Sequence, residues 1–181
     1  MRANLDATLA LIFRWEGGFA ERASEPGGSV NMGISQQTLY TWRKQHGQPV
    51  PTVDDVRNLS QGEATSIYDA LYAVPIRFDD LPSGMDMATL DAAVNEGLGW
   101  ALRALADAVG FEYSGVRPPV ALLVEAAKTA PAAPVIDHIC DARFVSKRQR
   151  AEWPRFGLGW TARIESIRQN AHALATAGTP A

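Results

Sequence analysis

The chain has 181 residues, of which 46% are hydrophobic and 20% charged, as is typical of a globular protein that buries a sizeable core. Its net charge of -3 at pH 7 argues against a general nucleic-acid binder, and no apolar stretch reaches the length needed to cross a membrane. We therefore expect no nucleic-acid partner and no stable membrane insertion. The sequence leaves the oligomeric state open, and a monomer is the expected state.

Cysteine and histidine usage argues against a metal centre. The single Cys140 excludes an internal disulfide and any cluster of several cysteines, and its apolar neighbours predict a packed thiol. The three histidines, His46, His138 and His172, are scattered and match no metal-binding spacing. We expect neither a metal site nor a cofactor.

The first residues do not predict a signal peptide. Residues 1–6 lack a long apolar core, and Arg14 and Glu16 interrupt the apolar run that follows. The sequence therefore predicts a protein made in the cytoplasm, and a substrate outside the membrane would require a separate route of release.

The first predicted element is an amphipathic helix over residues 4–16, which the pair Gly17-Gly18 ends. Its apolar residues recur at helical spacing: Leu5, Leu9, Ile12 and Phe13. Residues 18–34 are rich in glycine and predict a loop or a small hairpin.

Capping residues predict the next helices. Ser35 is placed to begin a helix that runs to about Gln45. The pairs Thr52–Asp55 and Ser60–Glu63 both have the spacing of a capping box, and the second opens a helix to about Tyr72. Residues 74–84 contain two prolines and a glycine and predict a connection.

The second half of the chain is predicted to be helical. The longest helix is expected over residues 86–109, and further helices are expected near 118–129, 134–151 and 160–175. No convincing series of alternating strands is visible. The predicted fold class is therefore mostly α, with a short irregular or hairpin segment after the first helix.

Glu16 is the first candidate for chemistry. It lies in the last turn of a predicted helix, whose carbonyl end carries partial negative charge, and it has aromatic neighbours in Phe13, Trp15 and Phe19. Both features disfavour the charged carboxylate, as suits a general acid. The alternative is a solvated glutamate at a frayed helix end.

Glu25 supplies a second carboxylate nine residues later. Pro26 biases its backbone toward an extended or turn geometry, and Gly27-Gly28 lets the chain approach a ligand closely. Glycoside hydrolysis uses such a pair, and direct attack by water requires carboxyl groups roughly 6.5–9.5 Å apart. Two alternatives remain: the segment is simply a turn, or Glu21 is the second carboxylate.

A family resemblance is carried by residues 15–35, WEGGFAERASEPGGSVNMGIS, which resemble the glycoside hydrolase 108 family of phage-type N-acetylmuramidases. The family pattern is EGG, an aromatic residue, a short spacer and DPGGATNYGIT. Further segments match in the same order, and they are residues 68–72, residues 81–84, residues 91–97 and residues 153–163. The last of these resembles a closing segment of the family's peptidoglycan-binding region.

The resemblance implies a lysozyme-like, mostly α fold that acts on the glycan backbone of peptidoglycan. Glu16 matches the catalytic glutamate. We expect residues 1–80 to form the catalytic region and residues 81–177 a helical, peptidoglycan-binding-like region packed against it as one compact unit. Such an enzyme reaches the wall after release, for example through a holin.

Two departures from the family pattern concern the substrate site. The family aspartate is Glu25 here, and the family threonine, whose hydroxyl helps to hold the attacking water in related lysozymes, is Val30. Asn31 is kept, so Val30 and Asn31 are candidates for substrate contact beside Glu25 as base or electrostatic partner. Two functions follow: an N-acetylmuramidase endolysin, or a catalytically weakened, peptidoglycan-binding or structural component of phage-derived machinery.

Asp91 and Asn95 are the remaining candidates for substrate contact. They lie one helical turn apart in the segment that resembles the family's DxAVNxG stretch. The alternative role for both is capping or bridging between helices. Further along, the family's DGxxGxxT turn reads SGVRPPV over residues 114–120, where its aspartate, second glycine and threonine are all replaced.

Overall fold

The structure, a computed structural model, describes residues 2–22 and 27–177 and is mostly α-helical. Its helices and strands are α1 (Arg2–Glu16), β1 (Val30–Asn31), β2 (Ile34–Ser35), α2 (Gln36–Gln45), α3 (Val53–Arg57), α4 (Gln61–Tyr68), α5 (Met85–Glu96), α6 (Leu98–Ala108), α7 (Val120–Thr129), α8 (Ala132–Arg148) and α9 (Trp153–Ala177). A π-helical turn (Asp69–Ala73) and a 3-10 turn (Phe78–Asp80) complete the list. The predicted fold class is confirmed, with the hairpin β1–β2 in the glycine-rich segment after the first helix.

The chain divides into two compact units. One comprises Leu9–Leu71, and the other comprises Met1–Thr8 with Tyr72–Ala181. The predicted functional division into residues 1–80 and 81–177 stays a prediction. No helix in the described parts of the chain combines the length and the apolar character needed to span a membrane.

The unit Leu9–Leu71 contains the second half of α1, the hairpin and α2 to α4. Its core is formed by apolar side chains that are almost completely buried, among them Leu9, Ile12, Ile34, Leu39, Val56 and Ile67. Burial of each such side chain contributes about 1.5–3 kcal/mol. The core therefore fixes where α1 ends relative to the hairpin and α4.

The predicted caps of this unit are confirmed. The Ser35 hydroxyl accepts a hydrogen bond from the Thr38 amide at 3.1 Å and begins α2. Thr52 and Asp55 form a reciprocal capping box at the start of α3. The Ser60 hydroxyl accepts from the amide of Glu63 at 3.1 Å, and α4 continues through the π-helical turn past the predicted end.

The second unit contains α5 to α9. Its core side chains come from all five helices and include Met85, Leu90, Leu105, Leu123, Ile136, Ile139, Ile164 and Ile167. The predicted packing of Cys140 is confirmed, because its thiol is fully buried in α8. Burial raises the pKa of that thiol to about 11, as expected for a structural cysteine.

The prediction of one long helix over residues 86–109 is wrong. Gly97 adopts φ +97° and ψ 151°, so α5 ends at Glu96 and α6 begins at Leu98. The longest helix of the described residues is instead α9, with 25 residues. It begins at Trp153, well before the predicted residue 160, because Pro154 stands in the first turn, where a missing amide hydrogen breaks no helical bond.

Candidate functional site

Glu16 is the last residue of α1 and is half-buried. The helix ends there because Gly17 takes φ +78°, a conformation that a residue with a side chain rarely adopts. The Gly17 amide still donates to the Phe13 carbonyl at 3.1 Å. This ending points the chain away from the helix axis and leaves the Glu16 carboxyl group at the helix terminus, as predicted.

The hairpin β1–β2 turns at Met32 and Gly33. Both residues have positive φ, 48° and 74°, and the register pairs Asn31 with Ile34 across a two-residue loop. This is the geometry of a type I′ turn, which matches the natural twist of two antiparallel strands. The hydroxyl of Tyr68, at the end of α4, donates to the Met32 carbonyl at 2.9 Å and holds the turn in place.

Glu16, Gly33 and Tyr68 meet at one point. A methyl group added to Gly33 would lie 2.9 Å from Glu16 Oε2 and 3.0 Å from Glu16 Cγ, and it would overlap the Tyr68 hydroxyl. Real carbon atoms do not approach this closely, so only glycine fits between the two side chains. The end of α1, the hairpin turn and the end of α4 therefore converge on the Glu16 carboxyl group.

Tyr68 is a site residue that the sequence reasoning did not assign. Its side chain is only 3% exposed, and its ring meets the Phe13 ring edge-on with centroids 5.2 Å apart. A buried tyrosine usually finds a hydrogen-bond partner for its hydroxyl group. This tendency was the available indication that Tyr68 holds another segment in place. The partner itself, a carbonyl 36 residues earlier in the chain, has no local sequence signature.

Asn31 ties the hairpin to α3. It is 8% exposed, and its amide nitrogen donates to the Val56 carbonyl at 3.0 Å and to the Arg57 carbonyl at 3.1 Å. These carbonyls belong to the last turn of α3, where few helical amides remain to donate to them. Asn31 thus positions the strand that precedes the Gly33 turn, while its predicted contact with substrate stays a prediction.

Val30 pairs through its backbone with Ala20, with N–O distances of 2.8 and 2.9 Å. Its other neighbour in register is Ser35, so the three side chains share the face of the ladder opposite to Asn31. The half-buried Val30 side chain offers no hydrogen-bonding atom on that face. Its contact with substrate also stays a prediction.

The second carboxylate was predicted at Glu25, with Glu21 as the alternative. Glu25 lies in residues 23–26, outside the described residues. Glu21 is exposed and forms an ion pair with Arg57 at 3.4 Å. Arg57 also pairs with Asp54 and lies over the Phe19 ring, 4.7 Å from its centroid. Exposed pairs of this kind contribute about 0–1 kcal/mol.

Asp91, in α5, was predicted either to contact substrate or to bridge helices. The structure supports the bridging role and does not support contact with substrate. Its side chain is completely buried, and its carboxylate is 2.7 Å from Arg143 in α8 and 2.7 Å from Arg163 in α9. Burial opposes ionisation of this carboxyl, but attraction to the two guanidinium groups outweighs it and lowers the pKa of Asp91. Asn95, on the same helix, is half-buried, and its contact with substrate stays a prediction.

Within residues 2–22 and 27–177, no group of three or more His, Cys, Asp or Glu side chains is arranged to hold a metal ion. The chemistry available at the end of α1 is that of a half-buried carboxyl group held against a rigid turn. Such a group is suited to exchanging a proton with a bound substrate.

Comparison with known proteins identifies a matching family and similar solved structures. The family description Glycosyl hydrolase 108 matches residues 9–97, about half of the chain. The solved structure titled "Structure of Brucella abortus SagA" is similar over 97% of this chain and 97% of that chain, with 32% sequence identity and a TM-score of 0.78. No curated protein matches the sequence significantly.

Proposed function

Because the chain belongs to the glycosyl hydrolase 108 family, we propose that it cleaves the glycan backbone of peptidoglycan as an N-acetylmuramidase, with Glu16 as the general acid. Membership of the family supports a lysozyme-type hydrolase of the cell wall. The bond that is cleaved and the roles of individual residues are the parts that we propose.

The observation that carries this proposal is the setting of Glu16. A general acid must be held within hydrogen-bonding reach of the oxygen that it protonates. The carboxyl group of Glu16 lies 2.9 Å from the position of a Gly33 Cβ, and the Tyr68 hydroxyl lies on the same side of the turn. The glycine leaves the turn without a side chain, so the Glu16 carboxyl group packs directly against the turn and is held in a defined position.

In the proposed reaction, Glu16 gives its proton to the glycosidic oxygen as the bond to the anomeric carbon breaks. The oxocarbenium-like transition state then needs a negative group or an activated water on the opposite side of the sugar ring. We assign that role to Glu25. Glu25 occupies the position of the family aspartate, whereas Glu21, the alternative carboxylate, pairs with Arg57 at the surface.

The second candidate function is a lysozyme-like component that binds peptidoglycan with little turnover. Val30 favours it, because the strand beside Ala20 presents a hydrocarbon side chain where the family has a hydroxyl group. The two functions differ in turnover and share the same ligand.

The experiment is digestion of purified peptidoglycan followed by analysis of the soluble fragments. An N-acetylmuramidase releases fragments whose new reducing end is muramic acid, and a glucosaminidase releases fragments that end in glucosamine. The proposal expects the first result. If the protein co-sediments with peptidoglycan but releases no new reducing ends, the result would support the binding component instead.

A further inference from the structure

Two arginines of the unit that contains α5 to α9 converge on the first turn of α6. Arg103 Nη1 lies 3.4 Å and Arg117 Nε 3.8 Å from the position that a Cβ atom on Gly99 would occupy. Arg103 belongs to α6, and Arg117 belongs to the turn of residues 114–120, where the sequence departs from the family pattern. Two guanidinium groups thus share one small region of surface.

Neither guanidinium group forms an ion pair or stacks on an aromatic ring within the described residues. Most other arginines of this unit do have carboxylate partners: Arg143 and Arg163 pair with Asp91, Arg150 with Glu96, and Arg168 with Asp137. Two like charges held close together repel each other, and an anion placed between them attracts both. The arrangement at Gly99 therefore suits an anionic ligand group.

A hollow of about 480 Å³ adjoins Arg103 between α6 and α8. Its lining residues include the apolar Trp100 and Val145 and the polar Gln149. The acidic residue Asp107, one helical turn beyond Arg103, also lines the hollow. The hollow thus suits a short, partly apolar chain that bears a carboxylate at one end and an amino group at the other.

We propose that Arg103 and Arg117 bind a carboxylate of the short peptides attached to peptidoglycan, with the body of the peptide in the hollow beside Trp100. This inference rests on the proposed function, because it takes peptidoglycan as the ligand. A guanidinium group matches a carboxylate through two parallel hydrogen bonds, so two arginines provide affinity and direction together. The site recognises peptides, whereas Glu16 acts on sugars.

The test compares two immobilised probes: peptidoglycan that carries its peptides, and glycan strands from the same preparation after an amidase has removed them. All proteins carry Glu16→Gln so that the probes survive the measurement. The first variant is Arg103→Gln with Arg117→Gln, and the second is Gly99→Asp, which places a carboxylate of the chain itself between the guanidinium groups. Aspartate suits the first turn of a helix, so the second variant is expected to fold. The matched control is Lys128→Gln, which removes one exposed charge of α7.

We expect both variants to bind the peptide-bearing probe about tenfold more weakly or worse, as loss of charge-assisted hydrogen bonds predicts, and to bind the stripped glycan unchanged. Unchanged binding in both variants overturns the inference. So does an equal loss in Lys128→Gln, or an equal loss on stripped glycan. If the double variant does not unfold cooperatively, and is therefore not properly folded, the binding of Gly99→Asp alone decides whether the inference holds. Release of reducing ends from stripped glycan by the wild type tests the proposed function separately.

Discussion

The Glu16 carboxyl group lies against the backbone of Gly33, so close that a methyl group on Gly33 would approach Glu16 Oε2 to 2.9 Å. The two residues are brought together by the end of α1 at Gly17 and by the two-residue turn of the hairpin. Glu16 supplies the carboxyl group, and Gly33, which has no side chain, leaves the space that this group occupies. The chemistry of the site therefore depends on a glycine that makes no chemical contribution of its own.

Gly33→Ala should lower both stability and activity. The new methyl group would overlap the Tyr68 hydroxyl and crowd Glu16, and alanine at φ +74° adds backbone strain of roughly 1–2 kcal/mol. The matched control is Gly47→Ala, which has φ +65° with nothing within 4 Å of the added carbon. Urea unfolding and peptidoglycan lysis measure the two effects. Equal losses in both variants would show that only backbone strain matters at Gly33.

Tyr68→Phe should loosen the hairpin turn. It removes the hydrogen bond to the Met32 carbonyl but keeps the ring that packs on Phe13, so we expect a loss of about 0.5–1.5 kcal/mol. Lytic activity should fall as well, because the turn positions Gly33 beside Glu16. Tyr40→Phe, on the half-exposed side of α2, serves as the control. A Tyr68→Phe protein with unchanged melting temperature and activity would remove Tyr68 from the site.

Val30→Thr should raise lytic activity if hydrolysis is limited by the missing hydroxyl group. Threonine has nearly the shape of valine, and Val30 lies on a half-buried strand face where the added hydroxyl stays close to water. The double variant Val30→Thr with Glu25→Asp restores both family residues and should gain at least as much. Initial rates of turbidity loss give the comparison, with Val50→Thr at an exposed position as control. No gain in either variant over an inert wild type would favour the binding component.

Asp91→Asn should destabilise the unit of α5 to α9 by about 3–5 kcal/mol at pH 7, because it leaves the buried charges of Arg143 and Arg163 without their carboxylate. The pKa of Asp91 is held below its ordinary value of 3.8, so its contribution is complete above that pH and is lost as the pH falls through the lower folded value. The stability difference between wild type and variant should therefore shrink in strong acid.

Urea unfolding at pH 7 and near pH 3 provides this measurement. The control is Asp141→Asn, which removes an exposed partner of Arg168 and should cost less than about 1 kcal/mol. An Asp91→Asn protein as stable as wild type at pH 7 would contradict the account of the buried cluster.

Features that depend on neighbours in sequence could be predicted, and features that depend on distant contacts could not. The cap at Ser35, the capping box at Thr52 and the end of α1 at Gly17 each follow from a few adjacent residues. The break at Gly97 was missed because a lone glycine is tolerated within an apolar helical pattern, and only its backbone angles show that it interrupts the helix.

The candidate site shows the same contrast between features set by neighbours in sequence and features set by distant contacts. Glu16 could be selected as the candidate acid from its place at a helix end and from the family resemblance. The contact between Tyr68 and the Met32 carbonyl spans 36 residues, and the burial of Asp91 depends on arginines in two later helices. Neither has a periodicity or spacing that a single sequence reveals.

The central claim is that Glu16 is the proton donor in hydrolysis of peptidoglycan, and Glu16→Gln tests it most directly. The amide keeps the shape that fits against Gly33 but cannot give up a proton, so lysis of purified peptidoglycan should fall by about 10²–10⁴-fold while the melting temperature stays close to that of wild type. The matched control is Glu125→Gln, an exposed residue of α7 paired with Lys128, which should lyse the wall at the wild-type rate. A folded Glu16→Gln protein that clears peptidoglycan as fast as wild type would contradict the account.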